Sequence, residues 1–208
     1  MTIWPGPCGS DHPLYATTPL RPEFRGEHLP GNRQGGDKFV RYLRVEERDP
    51  YRLFAHDGLL YTGEQRPLDT THTRTLWTPQ GGRAVFVMDE YGWFYASPYH
   101  LLGEFHHSSL LAGAPVAGAG EISAAGGRVV LVSDHSTHYG PARRFTRQVV
   151  DSWRDRGSLS IIWTSSTTAR PIPNRADRGC GIPAGYTAAA ADVGCRSFAD
   201  VRSRHPAC

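Results

Sequence analysis

The sequence predicts an α+β fold: a mostly antiparallel β-meander or partly open barrel of about six strands, with one C-terminal amphipathic helix. Strand-like runs rich in β-branched and aromatic residues flank turn dipeptides in three places between residues 51 and 134. An apolar repeat of four residues follows them and is typical of a helix. Because three hairpins supply six strands, one apolar face of the sheet can be stable.

Each predicted hairpin has its own turn signal. In YRLFAHDGLLYTG, Asp57-Gly58 suits the positive φ angles of a type I′ turn. In RAVFVMDEYGWFYAS, Gly92 can take the left-handed position that closes a four-residue loop. GEISAAGGRVVLVSD turns at Gly126-Gly127. The order of these signals predicts six consecutive strands.

The helix is predicted over PARRFTRQVVDSWRDRG, where Phe145, Val149 and Trp153 recur every four residues. Pro141 is allowed in a first helical turn, and Gly157 suits a C-terminal cap. We expect this apolar stripe to cover the sheet.

Three regions follow from composition. Residues 1–38 hold six prolines and predict an extended arm that leans on the domain. Residues 39–162 form the β-rich domain, and residues 163–208 lack apolar periodicity, which predicts a disordered tail or a coding sequence read in a shifted frame.

Charge and hydropathy exclude some classes of function. The formal charge of +3 lies in the last 46 residues, which hold 6 Arg against 3 Asp, so the domain lacks a basic nucleic-acid footprint. No apolar run reaches 18 residues and no signal peptide is recognisable, so export would need a carrier or a fusion partner. A single lysine among 23 basic residues indicates GC-rich, bacterial coding.

The cysteines are far apart in sequence and form no CxxC pair: Cys8, Cys180, Cys195 and Cys208. Free thiols are favoured, and a disulfide between Cys180 and Cys195 is the alternative.

Five of the ten histidines fall within 39 residues: His100, His106, His107, His135 and His138. A zinc site is one explanation, but adjacent histidines on a strand point to opposite sides and no cysteine or dedicated carboxylate completes the ligands, so no metal site is predicted. An ordinary structural role is another, since serines and half-buried histidines often satisfy backbone groups in turns.

Catalysis is the third explanation, because imidazole titrates near neutrality and a hydroxyl can act as a nucleophile. The candidate residues are His107, Ser108, Ser109, Glu121, His138 and Tyr139. If FHHSS and STHY belong to neighbouring strands, His107 and His138 should be close on one side of the sheet, with Ser108 or Glu121 between them.

The chain from YLRVEERDPYRLFAHDGLLY through FHHSSLLAGAPVAGAGE to SDHSTHYGP resembles a C-terminal domain of bacterial polymorphic-toxin-like proteins, and also the related domain of plant IQ-motif-containing, calmodulin-binding proteins. The motif His-Ser-Ser-x-x-Ala-Gly is matched by His107, Ser108, Ser109, Ala112 and Gly113. The motif Ser-Gly-His-Tyr-x-Pro is matched by Ser136, His138, Tyr139 and Pro141, with Thr137 in place of glycine. No IQ motif is present, so calmodulin binding is not carried over.

The resemblance implies a toxin or effector that is secreted or injected by a carrier, with a host or competitor protein as target and an immunity protein as a further partner. FHHSS also resembles the hydroxyl strand of ADP-ribosyltransferases. That likeness implies transfer from NAD or another small nucleotide, with Arg52 and His106 binding the cofactor, although the paired Glu-x-Glu is absent. The cofactor is otherwise unknown. The alternative is a non-catalytic protein-binding module anchored by Trp93, Phe94 and Tyr95.

Overall fold

A seven-stranded sheet forms the centre of the fold. The computed structural model describes residues 14–32 and 38–156, and the backbone of a final strand at 162–163. Three short 3-10 helices come first, at Pro22–Phe24, Val45–Glu47 and Asp49–Tyr51. The remaining elements are β1 (Arg52–His56), β2 (Leu59–Thr62), β3 (Ala84–Met88), β4 (Phe94–Ser97), α1 (His107–Leu110), β5 (Gly118–Ala125), β6 (Arg128–Val132), α2 (Arg143–Asp155) and β7 (Ile162–Trp163).

The strands lie in the order β2-β1-β4-β3-β5-β6-β7. All neighbours pair antiparallel except β6 and β7, which are parallel. The N–H of Leu60 on β2 donates to the carbonyl of Gly127 in the β5–β6 turn, and the N–H of Gly127 donates to the carbonyl of Leu68, both at 2.8 Å. These bonds bring the two sides of the sheet together, so its six antiparallel strands form a nearly closed barrel. The predicted fold class is confirmed.

The three predicted turns join β1 to β2, β3 to β4 and β5 to β6. Asp57 and Gly58 have φ angles of 47° and 76°, the positive values that a type I′ turn requires. Gly92 has a φ of 83°, and a Cβ there would lie 2.7 Å from the Tyr15 ring. Backbone conformation and space both require glycine at this position.

One face of the sheet packs against α2. Alternate residues of β3 and β5, among them Phe86 and Ile122, form a buried cluster with Val149 and Trp153 of the helix. The Trp153 ring lies 4.6 Å from that of Phe94, measured between centroids. The predicted stripe of α2 therefore covers the sheet as expected.

The opposite face is covered by α1 and the N-terminal segment, defined here as residues 14–32. Val87, Tyr95 and Ala119 of the sheet pack there with Leu20 of that segment and Leu110 of α1. The side chain of Glu121 points to the same face, because it follows Ala119 by two residues on β5. This layer contains the candidate site.

Two strand predictions are wrong, and several other predictions concern residues that the structure does not describe. FHHSS does not form a strand, since His107 begins the four-residue helix α1, and STHY is a turn after β6 rather than a strand. The four cysteines, Gly157 and residues 164–208 lie outside the described residues, so the disordered tail, the state of the cysteines and the glycine cap of α2 stay predictions. The division of the chain at 38/39 also stays a prediction. No helix in the described part of the chain is long and apolar enough to cross a membrane.

Candidate functional site

Four histidine rings contact one another between the sheet and its covering layer, and we call His100, His106, His107 and His138 the histidine cluster. The rings of His106 and His138 stack with centroids 4.4 Å apart. His100 meets His106 and His107 edge-on, at 5.2 and 5.6 Å. All four side chains are buried. The structure thus places His107 and His138 in one group of rings, although neither lies on a strand.

His138 is held by a buried carboxylate from a distant part of the chain. Its Nε2 lies 3.0 Å from Oε2 of Glu27, which belongs to the N-terminal segment. Glu27 also accepts a hydrogen bond from the Tyr42 hydroxyl at 3.2 Å. The Phe24 ring stacks on the other face of His138 at 4.2 Å. Sequence reasoning missed Glu27, since an acid in a proline-rich segment carries no periodic or motif signal.

The other three imidazoles are fixed by backbone groups. His107 Nε2 lies 2.9 Å from the carbonyl oxygen of Gly120, which only accepts, so this nitrogen donates and carries the proton. His106 Nε2 accepts from the N–H of Gly103 at 3.0 Å, and His100 Nδ1 accepts from the N–H of Leu76 at 3.1 Å. These bonds fix the ring orientations, which favours a positional role.

Burial keeps these three rings uncharged. Burial, reinforced by the neighbouring histidines, lowers the pKa of His100 to about 2 and that of His106 to about 3. Burial also lowers the pKa of His107 to about 4, although its bond to Gly120 opposes the shift. An acid–base catalyst works best with a pKa near the operating pH. None of these three imidazoles meets that condition at neutrality.

The three hydroxyl groups of the predicted site do not converge on one hydrogen-bond partner. Ser109 Oγ accepts the N–H of His106 at 3.0 Å, which is a helix-start contact. Tyr139 donates to the carbonyl of Ala114 at 2.8 Å, and burial raises its pKa. The Ser108 Oγ is buried and has no hydrogen-bond partner in the structure. Only Ser108 therefore keeps an unused hydroxyl among these three.

Glu121 is the centre of a separate network. Its carboxylate accepts hydrogen bonds from Arg83 at 2.9 Å, from His135 and Thr78 at 3.2 Å, and from Thr75. Burial alone would raise the pKa of Glu121, but the bonds from His135, Thr75 and Arg83 lower it to about 2. Glu121 is therefore ionised and fully engaged. The charge of Glu121 also acts on His107. That Ser108 or Glu121 lies between His107 and His138 stays a prediction.

Arg52, predicted to bind a cofactor with His106, takes part in another set of contacts. Its guanidinium lies 4.5 Å from the Trp93 ring and 3.6 Å from the Asp49 carboxylate. Phe94 and Tyr95 are buried in the two cores, so neither is a surface anchor. Trp93 alone of the three proposed anchors is partly exposed. Within the described residues, no group of three His, Cys, Asp or Glu side chains could hold a metal ion.

A surface feature beside the histidine cluster was not predicted. Large apolar side chains are exposed on two loops, and we call them the apolar patch: Leu76 (41% exposed), Trp77 (37%), Tyr99 (58%), Leu101 (49%) and Leu102 (74%). The bond from the Leu76 N–H to His100 Nδ1 joins the two loops. Exposed apolar patches of this kind commonly mark interaction sites. PYHLL lies between predicted elements, so no periodicity singled out this segment.

The comparisons with known proteins concern the centre of the chain. Residues 47–145, just under half of it, match the family model described as the IQ motif-containing protein middle domain. Two Arabidopsis thaliana proteins named IQ domain-containing protein IQM3 and IQM5 are each 31% identical to it, over 103 and 111 residues. These matches cover 50% and 53% of this chain but only 22% and 21% of the relatives. No solved structure matches.

These findings correct the predicted bacterial toxin. Nothing in them points to polymorphic toxins or to ADP-ribosyltransferases, so the expectations of an NAD-dependent transferase and of secretion or injection are wrong. An immunity protein and a nucleotide partner have no support either. The non-catalytic alternative agrees better with the matches and with the neutral histidines. Over residues 47–145, the chain is similar to the middle domain of plant IQ motif-containing proteins.

Proposed function

We propose that the β-rich region is a non-catalytic protein-binding module that docks a partner on the apolar patch. The observation that carries this proposal is the patch itself, because large apolar side chains on two joined loops face solvent. Folded proteins rarely expose such groups together without a use for them. Trp77 and Tyr99 are also residue types that dominate the binding energy of interfaces.

The polar residues support this proposal through what they do inside the domain. The negative charge of Glu121 is paired with the guanidinium of Arg83, and Glu27 contacts His138. The patch loops are tied to this interior, since His100 accepts the Leu76 N–H. A rigid interior that positions exposed side chains lowers the entropy lost on binding. The histidine and carboxylate groups then act as a scaffold for the patch.

The finer proposal is a calmodulin-type partner. Sensor proteins of this type are acidic and expose a Met-rich apolar groove when they bind Ca²⁺. The apolar patch matches such a groove, and the acids on the described chain near it, Glu104 and Glu121, are ion-paired with Lys38 and Arg83. The family model that matches is described as the middle domain of IQ motif-containing proteins, which points the same way, although this sequence itself contains no IQ motif.

The helix α2 is a poorer candidate for that partner. Basic amphipathic helices are common targets of calmodulin. The apolar stripe of α2, with Val149 and Trp153, is however buried against the sheet. A groove could reach that stripe only if α2 left the domain. We therefore place the contact on the apolar patch.

The test is a calorimetric titration of the protein with calmodulin, carried out once with Ca²⁺ and once without it. We expect Ca²⁺-dependent binding that Leu102→Ser weakens about tenfold or more, since interface anchors contribute more than about 1 kcal/mol. Leu29→Ser is the matched control, because Leu29 is a 52% exposed leucine outside the patch. Equal weakening by both variants would remove the patch from the interface. Absence of binding at about 100 μM calmodulin, a concentration that detects weak complexes, would refute the calmodulin-type partner.

A further inference from the structure

The Glu121 carboxylate contacts two basic side chains through the same oxygen. Arg83 Nη1 lies 2.9 Å and His135 Nδ1 lies 3.2 Å from Oε2 of Glu121. The Thr75 and Thr78 hydroxyls donate to its other oxygen, Oε1. Glu121 is fully buried, whereas the side chains of Arg83 and His135 are 26% and 28% exposed. One buried carboxylate therefore lies beneath two basic groups that both reach the surface.

These basic groups adjoin the apolar patch. Trp77 lies between Thr75 and Thr78 in the chain, so the hydroxyl bonds to Glu121 hold the loop that exposes this tryptophan. The Trp77 ring lies 6.2 Å from the His135 ring, measured between centroids. A partner that covers Trp77 is consequently within reach of the exposed part of His135.

His135 has a ring nitrogen to offer such a partner. Its Nδ1 faces the buried Glu121 carboxylate, so the exposed part of the ring is on the side away from Glu121. An ionised carboxylate only accepts, which places a proton on Nδ1. The neutral ring then has no proton on Nε2, whereas the protonated ring donates from both nitrogens. Protonation of His135 thus makes Nε2 a donor for an anionic group.

The charges around His135 determine what it attracts. The ionisable groups that act on it come from three elements: Glu121 of β5, Arg83 before β3 and His107 of α1. The preceding residue, Asp134, already has a partner. His107 is uncharged at neutrality, and the charges of Arg83 and Glu121 cancel. Since imidazole side chains commonly change charge between about pH 5 and 8, protonation of His135 adds a positive charge at this surface under ordinary conditions.

We propose that His135 and Arg83 bind a carboxylate of an acidic protein partner whose apolar side chains cover the apolar patch. This inference rests on the proposed docking function and names the polar contact of that surface. A carboxylate fits because it accepts from imidazolium and guanidinium groups alike, and such charge-assisted hydrogen bonds are stronger than neutral ones. Because the protonated form of His135 binds the carboxylate better, docking takes up as much as about one proton.

The first experiment needs no partner protein. The ¹⁵N-histidine-labelled protein is titrated with the peptide hexaglutamate at about pH 6.5, where imidazole is partly protonated, and the ring nitrogens are observed by NMR. We expect a saturable shift of the His135 Nε2 signal with a dissociation constant on the order of 1 mM, typical of one weak contact. Hexaglutamine, the uncharged control, should leave the signal unchanged.

Two results of this titration would overturn the proposal. One is a His135 signal that hexaglutamate does not shift, or shifts no more than hexaglutamine does. The other concerns inorganic phosphate as a third probe. Phosphate that binds as tightly as hexaglutamate would show a general anion site rather than a site for a protein carboxylate.

The second experiment measures the proton taken up when Ca²⁺-loaded calmodulin binds. Calorimetry at about pH 7 in PIPES and in imidazole buffer, whose ionisation enthalpies differ, should give different binding enthalpies that correspond to uptake of as much as about one proton. His135→Gln should remove this difference, because glutamine keeps an N–H for Glu121 but cannot be charged. His56→Gln, at an exposed histidine of β1, is the matched control and should retain it.

The outcomes separate this contact from the docking function itself. Calmodulin binding with equal enthalpies in the two buffers, or proton uptake that persists in His135→Gln, would overturn the His135 contact and leave the docking function intact. If calmodulin does not bind but hexaglutamate shifts His135, the calmodulin-type partner is refuted and the carboxylate site stands.

Discussion

Mild acid should destabilise this protein strongly through three buried histidines. His100, His106 and His107 have folded-state pKa values of about 2, 3 and 4, against 6.5 in an unfolded chain. At a pH between the folded-state pKa and 6.5, each of these imidazoles is protonated in the unfolded chain but not in the folded protein. Stability is therefore fully present above pH 6.5 and is lost as the pH falls below it.

The magnitude follows from linkage. From pH 7.5 to 5.5, each imidazole that stays neutral in the folded state should lower the free energy of unfolding by about 1.4 kcal/mol. Three of them amount to about 4 kcal/mol, a large part of a typical stability of about 5–15 kcal/mol. Glu121 should contribute little in this window, because its pKa of about 2 lies well below it.

The assay is urea unfolding followed by tryptophan fluorescence at pH 7.5, 6.5 and 5.5. His100→Asn keeps an acceptor for the Leu76 N–H and removes one titrating ring, so its loss between pH 7.5 and 5.5 should be about 1.4 kcal/mol smaller than that of the wild type. Comparing the two proteins cancels every group they share, including Asp89, whose pKa burial raises. His72→Asn, at an exposed position, should leave the loss unchanged. A His100→Asn loss within about 0.5 kcal/mol of the wild-type value would refute the linkage.

Two further substitutions test the packing around the cluster. Glu121→Gln keeps the shape of the side chain but leaves Arg83 without its carboxylate. We expect it to reduce the free energy of urea unfolding by about 3 kcal/mol. A loss below about 1 kcal/mol would show that the network is not energetically important. Gly120→Ala would place a Cβ 1.8 Å from the Ser133 carbonyl oxygen, so the strand must shift and carry away the carbonyl that holds His107. We expect a loss of about 3 kcal/mol or more in the same assay, and wild-type stability would contradict the structure at this position.

The sheet and α2 could be predicted because their signals are local. Asp57-Gly58 and Gly92 specify turns through their own backbone angles, and the stripe of Phe145, Val149 and Trp153 specifies which face of a helix is buried. Such information lies within a few residues of the element it determines. The three hairpins account for three of the six neighbouring strand pairs in the sheet, and the pairs β1/β4, β3/β5 and β6/β7 had no local signal.

The candidate site could be predicted only in part. Clustering of histidines along the chain did indicate rings in contact, but α1 has four residues, too few to show a helical period. The partner of His138 is Glu27, which is 111 residues away in sequence. Tertiary packing alone makes that contact. The toxin-transferase interpretation was overturned by the matches to IQ motif-containing proteins. Burial, which residue types do not reveal, keeps His100, His106 and His107 uncharged.

The contact between Glu27 and His138 shows that the packed unit extends beyond the residues that match the family model. Glu27 precedes residue 47, where the match to the family begins, and Trp153 follows residue 145, where it ends. A fragment trimmed to residues 47–145 would leave His138 without its carboxylate and would keep only the first three of the 13 residues of the covering helix α2. The stretch that matches the family model is therefore shorter than the packed unit that the structure describes. A shortened version of this protein should therefore keep Glu27 and Trp153 in addition to the matched residues.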